Sequence, residues 1–459
     1  MTAPRHIAVI DVGKTNAKLA LVDLQTLTEI DVVTRPNEVR RGPPWPHFDT
    51  EAHWNFFLSA LSRFHREHGI DAISVTTHGA SAVLLDANGR LAAPILDYEH
   101  TGPDDMADAY DAIRPPFAQT GSPRLGMGLN LGAQLHWQFA TDPGLLERTA
   151  HVLTYPQYWA FRLTGDVSSD VSSMGCHTDL WNPRERTFSD LAGALGIAGK
   201  VAPVRKSADV LGPVLPEIAE ATGLAPKTPV VCGIHDSNAS LYPHLLSQRP
   251  PFSVVSTGTW VIAMAIGGAD VTLDPARDTL INVSARGDAV PSARFMGGRE
   301  YEIVRAGKDL SATEEDVAEV LASGLMLLPA VEPTSGPFPG RAMRWQGVEP
   351  PEGSGQRAAA LSFYLALMTD TCLDLAGARG STIVEGPFAR NARYLAMLAA
   401  ATGRDVQQSR SATGTSLGAA LLFAPDGGTA LPEPERVPTP ANAEALTAYA
   451  ARWKAALDG

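Results

Sequence analysis

At 459 residues the chain is too long for one ordinary hydrophobic core, so two or three domains are expected. Hydrophobic residues make up 44%, which suits a globular protein and excludes a disordered one. Lys plus Arg total 37 against 50 Asp plus Glu, and the net charge of −13 argues against nucleic acid as the main partner. A phosphorylated ligand stays compatible, because backbone amides and a metal can hold it.

No uninterrupted apolar run reaches the roughly 18 residues of a membrane span. Met1 to His6 leads directly into a strand and lacks the pattern of a secretory signal. Cys176, Cys232 and Cys372 are odd in number and far apart, which suits a reducing cytosol better than a disulfide framework or a zinc site.

Residues 7–10 form a short apolar run, read as a buried strand. Asp11-Val12-Gly13-Lys14-Thr15-Asn16 then turns, and residues 17–22 return as a second strand. Backbone amides around Gly13 can face a phosphate, and Asp11 can hold a metal or its water shell. An ordinary hairpin with Asp and Gly supplying turn chemistry explains the same residues. The spacing is not that of a Walker A loop.

A third strand is expected over 28–33. Asp49 or Thr50 then caps a helix with Trp54, Phe57, Leu58, Leu61 and Phe64 on one face, ended by Gly69. The strand over 70–76 leads into Thr77-His78-Gly79-Ala80-Ser81. Ligands bind beyond the carboxyl ends of strands in open α/β sheets, so Thr77, His78 and Gly79 are substrate-contact candidates. A satisfied structural histidine is the competing reading of His78. Asp97-Tyr98-Glu99-His100 makes a second polar cluster after an apolar strand, and Asp170 with residues 172–175 a third. Helices are expected near 103–113, 130–141 and 158–163.

Residues 229–233 make a buried-looking strand that ends in Gly and then offers His235-Asp236. A carboxylate there can take a proton from a hydroxyl and can approach a metal-bound phosphate. The plain alternative is that Asp236 caps the helix through Leu241. Residues 244–251 read as a linker. The opening pattern then returns: strand 252–255, turn Ser256-Thr257-Gly258-Thr259, strand 260–266. Gly297 opens a helical stretch within Met296-Gly297-Gly298-Arg299-Glu300. A long helix is expected over 357–380, a strand over 382–385, and a loop from Gly386 to Asn391 before a helix over 392–402, a geometry that accommodates a nucleotide. Residues 425–440 read as a surface connection, and Leu446, Tyr449, Ala450, Trp453 and Leu457 as a last docked helix.

Five of these segments, in order, resemble the FGGY carbohydrate kinases of the actin-like ATPase superfamily. They are Asp11-Val12-Gly13-Lys14-Thr15-Asn16, Arg162-Leu163-Thr164-Gly165 with Asp170, Gly233-Ile234-His235-Asp236, Ser256-Thr257-Gly258-Thr259-Trp260, and Glu385-Gly386 with Asn391. Thr76-Thr77-His78-Gly79 and the Ser256 segment most resemble the L-fuculokinase and rhamnulokinase branch. The resemblance implies an α/β protein of two ribonuclease H-like (actin-like ATPase) domains with a cleft between them. Residues 1–245 would bind the sugar and carry the base, and 246–459 would bind the nucleotide.

It further implies ATP and Mg2+ as cofactors. Asp236 would be the general base, with Thr77, His78, Gly79, Tyr98, Asp170 and Asp236 near the sugar. Asp11 and Asp236 would hold the magnesium shell. Gly13, Lys14, Thr15, Asn16, Thr257, Gly258, Thr259 and Gly297 would line the phosphates, with Gly386 and Asn391 by the adenosine. The expected activity is phosphorylation of a ketose, either a ketopentose such as xylulose or a 6-deoxyketohexose such as L-fuculose or L-rhamnulose. A small polyol such as glycerol or a tetritol is the alternative substrate, and a non-catalytic actin-like ATPase the alternative class. The expected partner is a small-molecule sugar in the cytoplasm, with no nucleic acid and no membrane; a homodimer stays open. The chain departs from the family's usual pattern at Gly386-Pro387-Phe388-Ala389, where a Gly-Gly-rich loop is common, at Gln134, where a Lys is common, and at Ser81, where the fuculokinase-like branch tends to carry an acidic residue.

Overall fold

A computed structural model describes residues 4–409, 414–424 and 431–457. Of the expected surface connection over 425–440, residues 425–430 lie outside those described. The chain divides into two compact units after Ser247. Of the described residues, the first unit takes the chain to that point and also 281–289, 414–424 and Leu431, and the second unit takes 248–280, 290–409 and 432–457. The single boundary expected between 245 and 246 is therefore corrected to two units that exchange segments. Local composition marks a linker but carries no signal for a later stretch that returns to the first core.

In the first unit, β1 (His6–Val12) buries Ile7, Ala8, Val9 and Ile10 completely, as a strand covered on both faces must. The chain turns at Gly13 and returns antiparallel as β2 (Asn16–Asp23), with His6 opposite Asp23 and Val12 opposite Ala17. β3 (Thr28–Pro36) pairs antiparallel with β2 and forms the sheet's edge, where Ile30, Val32 and Thr34 are the alternating exposed positions. β4 (Ala72–Thr77) lies parallel to β1 on its other side.

A parallel pair needs a crossover, and α1 (Thr50–His68) supplies part of it. Asp49 accepts from the Ala52 amide at its start, and Gly69 closes its end at a φ of 77°. Trp54, Phe57, Leu61 and Phe64 pack with Ile10, Leu19, Ile73, Val75 and Trp159 in one core. β5 (Pro229–Val231) and β6 (Ile234–His235) both pair parallel with β4. Gly233 between them has a φ of 90°, and a Cβ there would stand 2.7 Å from the Val75 carbonyl oxygen. β6 passes directly into α2 (Asp236–Ser247), so residues 244–247 of the expected linker are helical.

The second unit repeats the strand order. β7 (Phe252–Thr257) and β8 (Val261–Ile266) form the hairpin, with Phe252 opposite Ile266 and Thr257 opposite Val261. β9 (Ala289–Phe295) runs antiparallel to β8, and β10 (Ser381–Glu385) runs parallel to β7. β11 (Val406–Gln408) continues parallel beyond β10. Each unit is thus a hairpin, a third antiparallel strand and a parallel strand on the hairpin's far side, the ribonuclease H-like arrangement. α3 (Gly297–Arg305) follows β9, α4 (Gly355–Leu375) precedes β10, and α5 (Ala392–Thr402) follows it. α6 (Thr415–Ala420) belongs to the first unit.

Leu361, Tyr364, Leu365, Met368 and Cys372 of α4 form the second core with Leu398, Tyr449 and Trp453. Among the described residues α4 is the one helix long and apolar enough to cross a membrane, and 83% of that window is buried inside the fold. It ends at Leu375, short of the expected 380, because Gly377 takes a φ of 72° that a helix cannot continue.

α3 carries a charge into this core. Glu300 is 0% exposed. One of its oxygens accepts from the Glu332 amide at 3.1 Å, while the other has no hydrogen-bond partner. Burial pushes its carboxyl up to about 7, above the 4.5 of an ordinary glutamate. The folded state therefore holds the proton more tightly than the unfolded state. Its stabilising contribution is complete below about 4.5 and is lost as pH rises through about 7. Glu300→Gln is expected to unfold at a higher temperature than the parent at pH 8 and to lose that advantage at pH 5, an effect of up to about 3 kcal/mol. Thermal denaturation of both proteins across that range checks it, and a pH-independent difference would contradict it.

Candidate active site

Three strands of the first unit end on one edge. β1 delivers Asp11, β4 delivers Thr77 and His78, and β6 delivers His235 and Asp236. Asp11 lies 3.2 Å from Lys18, its cross-strand partner on β2, and accepts a 2.6 Å hydrogen bond from the Thr415 hydroxyl on α6. Burial raises the Asp11 carboxyl above the ordinary range, against the pull of Lys18, and the charge of Asp236 adds to the rise. The two carboxylates thus sit within electrostatic reach of each other.

Asp236 is the first residue of α2. One oxygen accepts from the Ser237 amide at 2.6 Å and stands 3.1 Å from the His235 Nε2. The side chain keeps 32% of its surface accessible, yet the atoms crowded around it push its carboxyl up to about 6. That value suits a base working near neutral pH. His235 itself is held neutral, its ring lowered to about 4 by burial. Gly79 makes room for this ring, since a Cβ there would stand 2.7 Å from the His235 Cδ2. Gly79 acts through space it leaves empty.

His78 is enclosed by aromatic rings, with centroids 5.5 Å away at Phe48, 5.0 Å at Tyr98 and 4.9 Å at Tyr155. Burial lowers its ring to about 3, so it is neutral, with one nitrogen to donate and one to accept. Neither nitrogen has a hydrogen-bond partner in the structure. A buried, unsatisfied polar group is costly, and a hydroxylated ligand would satisfy it. Tyr98 is raised to about 12, chiefly by burial.

Other expected contacts take different roles. Thr77 is fully buried and its hydroxyl donates to the His78 carbonyl at 2.8 Å, so it is spent on backbone. Asp170 is also fully buried. It gathers the hydroxyls of Ser172, Ser173 and Ser207 and the Ser173 amide. Ser172 in turn accepts from the His235 amide at 3.1 Å. Asp170, expected near the sugar, has its oxygens engaged by a serine cluster that anchors the strand leading to Asp236.

Lys14, expected at the phosphates, is held by acidic partners. Its ammonium pairs with Asp97 and with Glu99, the latter at 3.0 Å, and lies 4.9 Å from the Tyr98 ring centroid. Two carboxylates and an aromatic face draw it to the 97–99 loop and away from a phosphate role. Thr15 and Asn16 are exposed at the turn, where the Asn16 amide donates to the Thr15 hydroxyl. Asn37 secures that turn: its amide group donates to the Gly13 carbonyl at 2.8 Å, and its oxygen meets His53 Nε2 at 2.7 Å. Asn37, Phe48, Asp97 and Tyr155 are the residues that motif reading missed. Asp97 stood in a visible polar cluster, but nothing local marks Asn37. Gln134 ties the Ala80 carbonyl and the Ala82 amide together from α-helical neighbours, and Ser81 donates to the Leu96 carbonyl.

The second unit gathers its own loops. The Thr257 hydroxyl donates to the Glu385 carbonyl at 2.5 Å and accepts from the Phe388 amide at 3.1 Å. Gly386, at a φ of 82°, would place a Cβ 2.0 Å from the Thr257 carbonyl oxygen, so only glycine fits. Gly298 would meet the Gly258 oxygen at 2.2 Å, and Gly297 would meet Val261 at 2.5 Å. The turn at 257–259, the start of α3 and the loop at 386–391 therefore touch. Beside them lies a cavity of about 740 Å³ walled by Gly258, Thr259, Met296, Tyr301, Phe388 and Asn391 among others. That volume suits a nucleoside-sized ligand.

The donor set fits a hard divalent cation. Asp11 and Asp236 offer carboxylate oxygens whose mutual charge raises the Asp11 carboxyl, a repulsion that magnesium would relieve.

A model of the N-terminal domain of the FGGY family of carbohydrate kinases matches residues 6–242, and one of the carbohydrate kinase FGGY C-terminal domain matches residues 249–431. An L-fuculokinase of Salmonella typhi is 27% identical over 270 residues, which is 57% of this chain and 57% of that protein. The chain thus spans little more than half the length of that curated relative. The crystal structure of a carbohydrate kinase from Novosphingobium aromaticivorans superposes with a TM-score of 0.90 at 37% identity, covering 98% of this chain and 99% of the other. A xylulose kinase from Rhodospirillum rubrum shares the fold with a TM-score of 0.76 at 21% identity, over 99% and 98% of the two chains. With both domain models matched in succession along its length, the chain belongs to the FGGY family of carbohydrate kinases.

Proposed function

We propose that this protein transfers the γ-phosphoryl group of ATP to a hydroxyl of a neutral ketose. The observation that carries the proposal is Asp236: a carboxyl held near 6 at a strand end, on the same sheet edge as His78, a buried histidine whose two ring nitrogens lack partners. The sugar binds on the first unit, with His78 and Tyr98 among its contacts. The nucleotide binds on the second, in the cavity beside Thr257, Gly258, Thr259, Gly297, Gly386 and Asn391.

Asp236 takes the proton from the attacking hydroxyl as the new O–P bond forms and ADP leaves. Asp11 and Asp236 would hold magnesium, which supplies charge neutralisation on the transferred phosphates when bound. Gly13, Thr15 and Asn16 present the exposed turn of the first unit to the phosphates. A non-catalytic ATPase would have no use for a carboxyl tuned in this way.

Lys14 bears on the substrate. Its one positive charge faces the two negative charges of Asp97 and Glu99. The local balance is negative, so a sugar acid would meet repulsion where a neutral sugar meets hydrogen-bond partners. The ketose is favoured over a small polyol because Tyr98, the partly exposed ring against His78, offers apolar contact for a longer carbon chain.

ADP release measured across ketoses, polyols and aldonates is expected to show a ketopentose or 6-deoxyketohexose as the best substrate. Aldonates should fall about a hundredfold or more below it in kcat/KM; an aldonate at the top would overturn the Lys14 argument. Asp236→Asn should lower kcat at least about a hundredfold while the protein stays folded, since Asn keeps the shape but cannot take the proton. Near-normal turnover in that variant would remove Asp236 from the chemistry. Asp170→Ala should cost about 3 kcal/mol of stability, because several buried donors lose their acceptor, with KM for the sugar little changed below its melting temperature. A large rise in KM with unaltered melting would restore Asp170 as a substrate contact.

A further inference from the structure

The cavity beside α3 offers few free groups that could read the edge of a base. Pro387 has no N–H to offer. The amides that surround it are spent within the protein: Phe388 N–H on the Thr257 hydroxyl, Ala389 N–H on the Gly386 carbonyl, Asn391 N–H on the Phe388 carbonyl, and Gly298 N–H on the Thr259 carbonyl. Apart from the Thr259 hydroxyl, the polar side chains of the wall are engaged with protein partners. Arg299 lies 3.0 Å from Glu332, and Glu302 lies 2.7 Å from Arg305. The Asn391 oxygen accepts from the Arg393 and Tyr394 amides as the cap of α5, and its amide group donates to the Ser362 hydroxyl at 3.0 Å.

What remains on this wall is mostly apolar and aromatic. Phe388 is buried against Tyr394, with centroids 5.4 Å apart, and stands 6.2 Å from the Tyr301 ring, with Met296 and Pro387 completing the surface. Adenine and guanine differ along one edge, where the amine and ring nitrogen of one become the carbonyl and N–H of the other. Strong discrimination needs a donor and an acceptor fixed opposite that edge, so that the wrong base leaves a buried group unpaired. Asn391 keeps one amide hydrogen, a single donor that cannot match both groups of that edge. Stacking and apolar contact depend little on which base is held.

We infer that the phosphoryl donor site is tolerant of the purine base, so that guanosine and inosine nucleotides serve nearly as well as adenosine nucleotides. This rests on the kinase reading for the phosphoryl transfer itself, and the tests separate the two. Calorimetric titration of the whole protein with ADP, GDP and IDP reads the cavity without chemistry. Kd values within about tenfold of one another are expected. ADP binding more than about a hundredfold tighter than GDP and IDP would overturn the inference and leave the kinase reading standing. Failure of all three to bind would overturn both. Turnover with the preferred sugar should likewise give kcat/KM values for ATP, GTP and ITP within about tenfold, and activity confined to ATP would overturn the inference. Phe388→Ala should weaken ADP and GDP in parallel, by about tenfold each, since the lost contact is blind to the base. A loss for ADP alone, with GDP unaffected, would overturn it from the other side.

Discussion

Parallel pairing around β4 is the constraint on which the first unit's chemistry depends. β1 and β6 both run alongside β4 in the same direction, so their C-terminal ends come out on the same edge. Asp11, His78 and Asp236 are far apart in sequence, yet this geometry alone brings them together. The strands can pair so closely only because Gly233 lets the chain pass the Val75 carbonyl without a side chain. A substitution there would disturb the edge before it touched any reacting group.

Charge compensation then decides what each polar group at that edge can do. Lys18 balances Asp11, Asp97 and Glu99 balance Lys14, and serine hydroxyls balance Asp170. Asp236 and His78 are different. Asp236 is raised by burial with only Ser237 to offset it, and His78 is neutral with two unsatisfied nitrogens. Groups left under-compensated in an otherwise balanced setting are where a ligand gains the most by binding.

The second unit uses the same strand order for another purpose. Its hairpin turn, helix start and the loop after β10 approach so closely that Gly298 and Gly386 have no room for a Cβ. The close approach consumes the loop's amides in internal hydrogen bonds. Rigidity of the loop and its poverty in free donors are therefore one fact seen twice, and the wall it presents is left to Phe388, Pro387 and Tyr301.

The sequence by itself determined the element types, the hairpin echo and the motif residues, because strand period, helix stripe and turn chemistry are local properties. Asp49 and Gly69 bounding α1, and the return of strand, turn and strand near 252–266, are legible in that way. The identity of Asp236 as the carboxyl at a strand end was legible too. Tertiary structure alone decided which polar residues stay available. Asp170 and Lys14 look like site residues by position, but partners at Ser207 and Asp97, distant in sequence, engage them, and Thr77 turns its hydroxyl to the adjoining His78 carbonyl. Asn37 secures the first turn from 24 residues away, and residues 281–289 and 414–424 return to the first core, with no local mark of either. Hydrogen-bond satisfaction is a property of the folded neighbourhood, and residue type and spacing do not encode it.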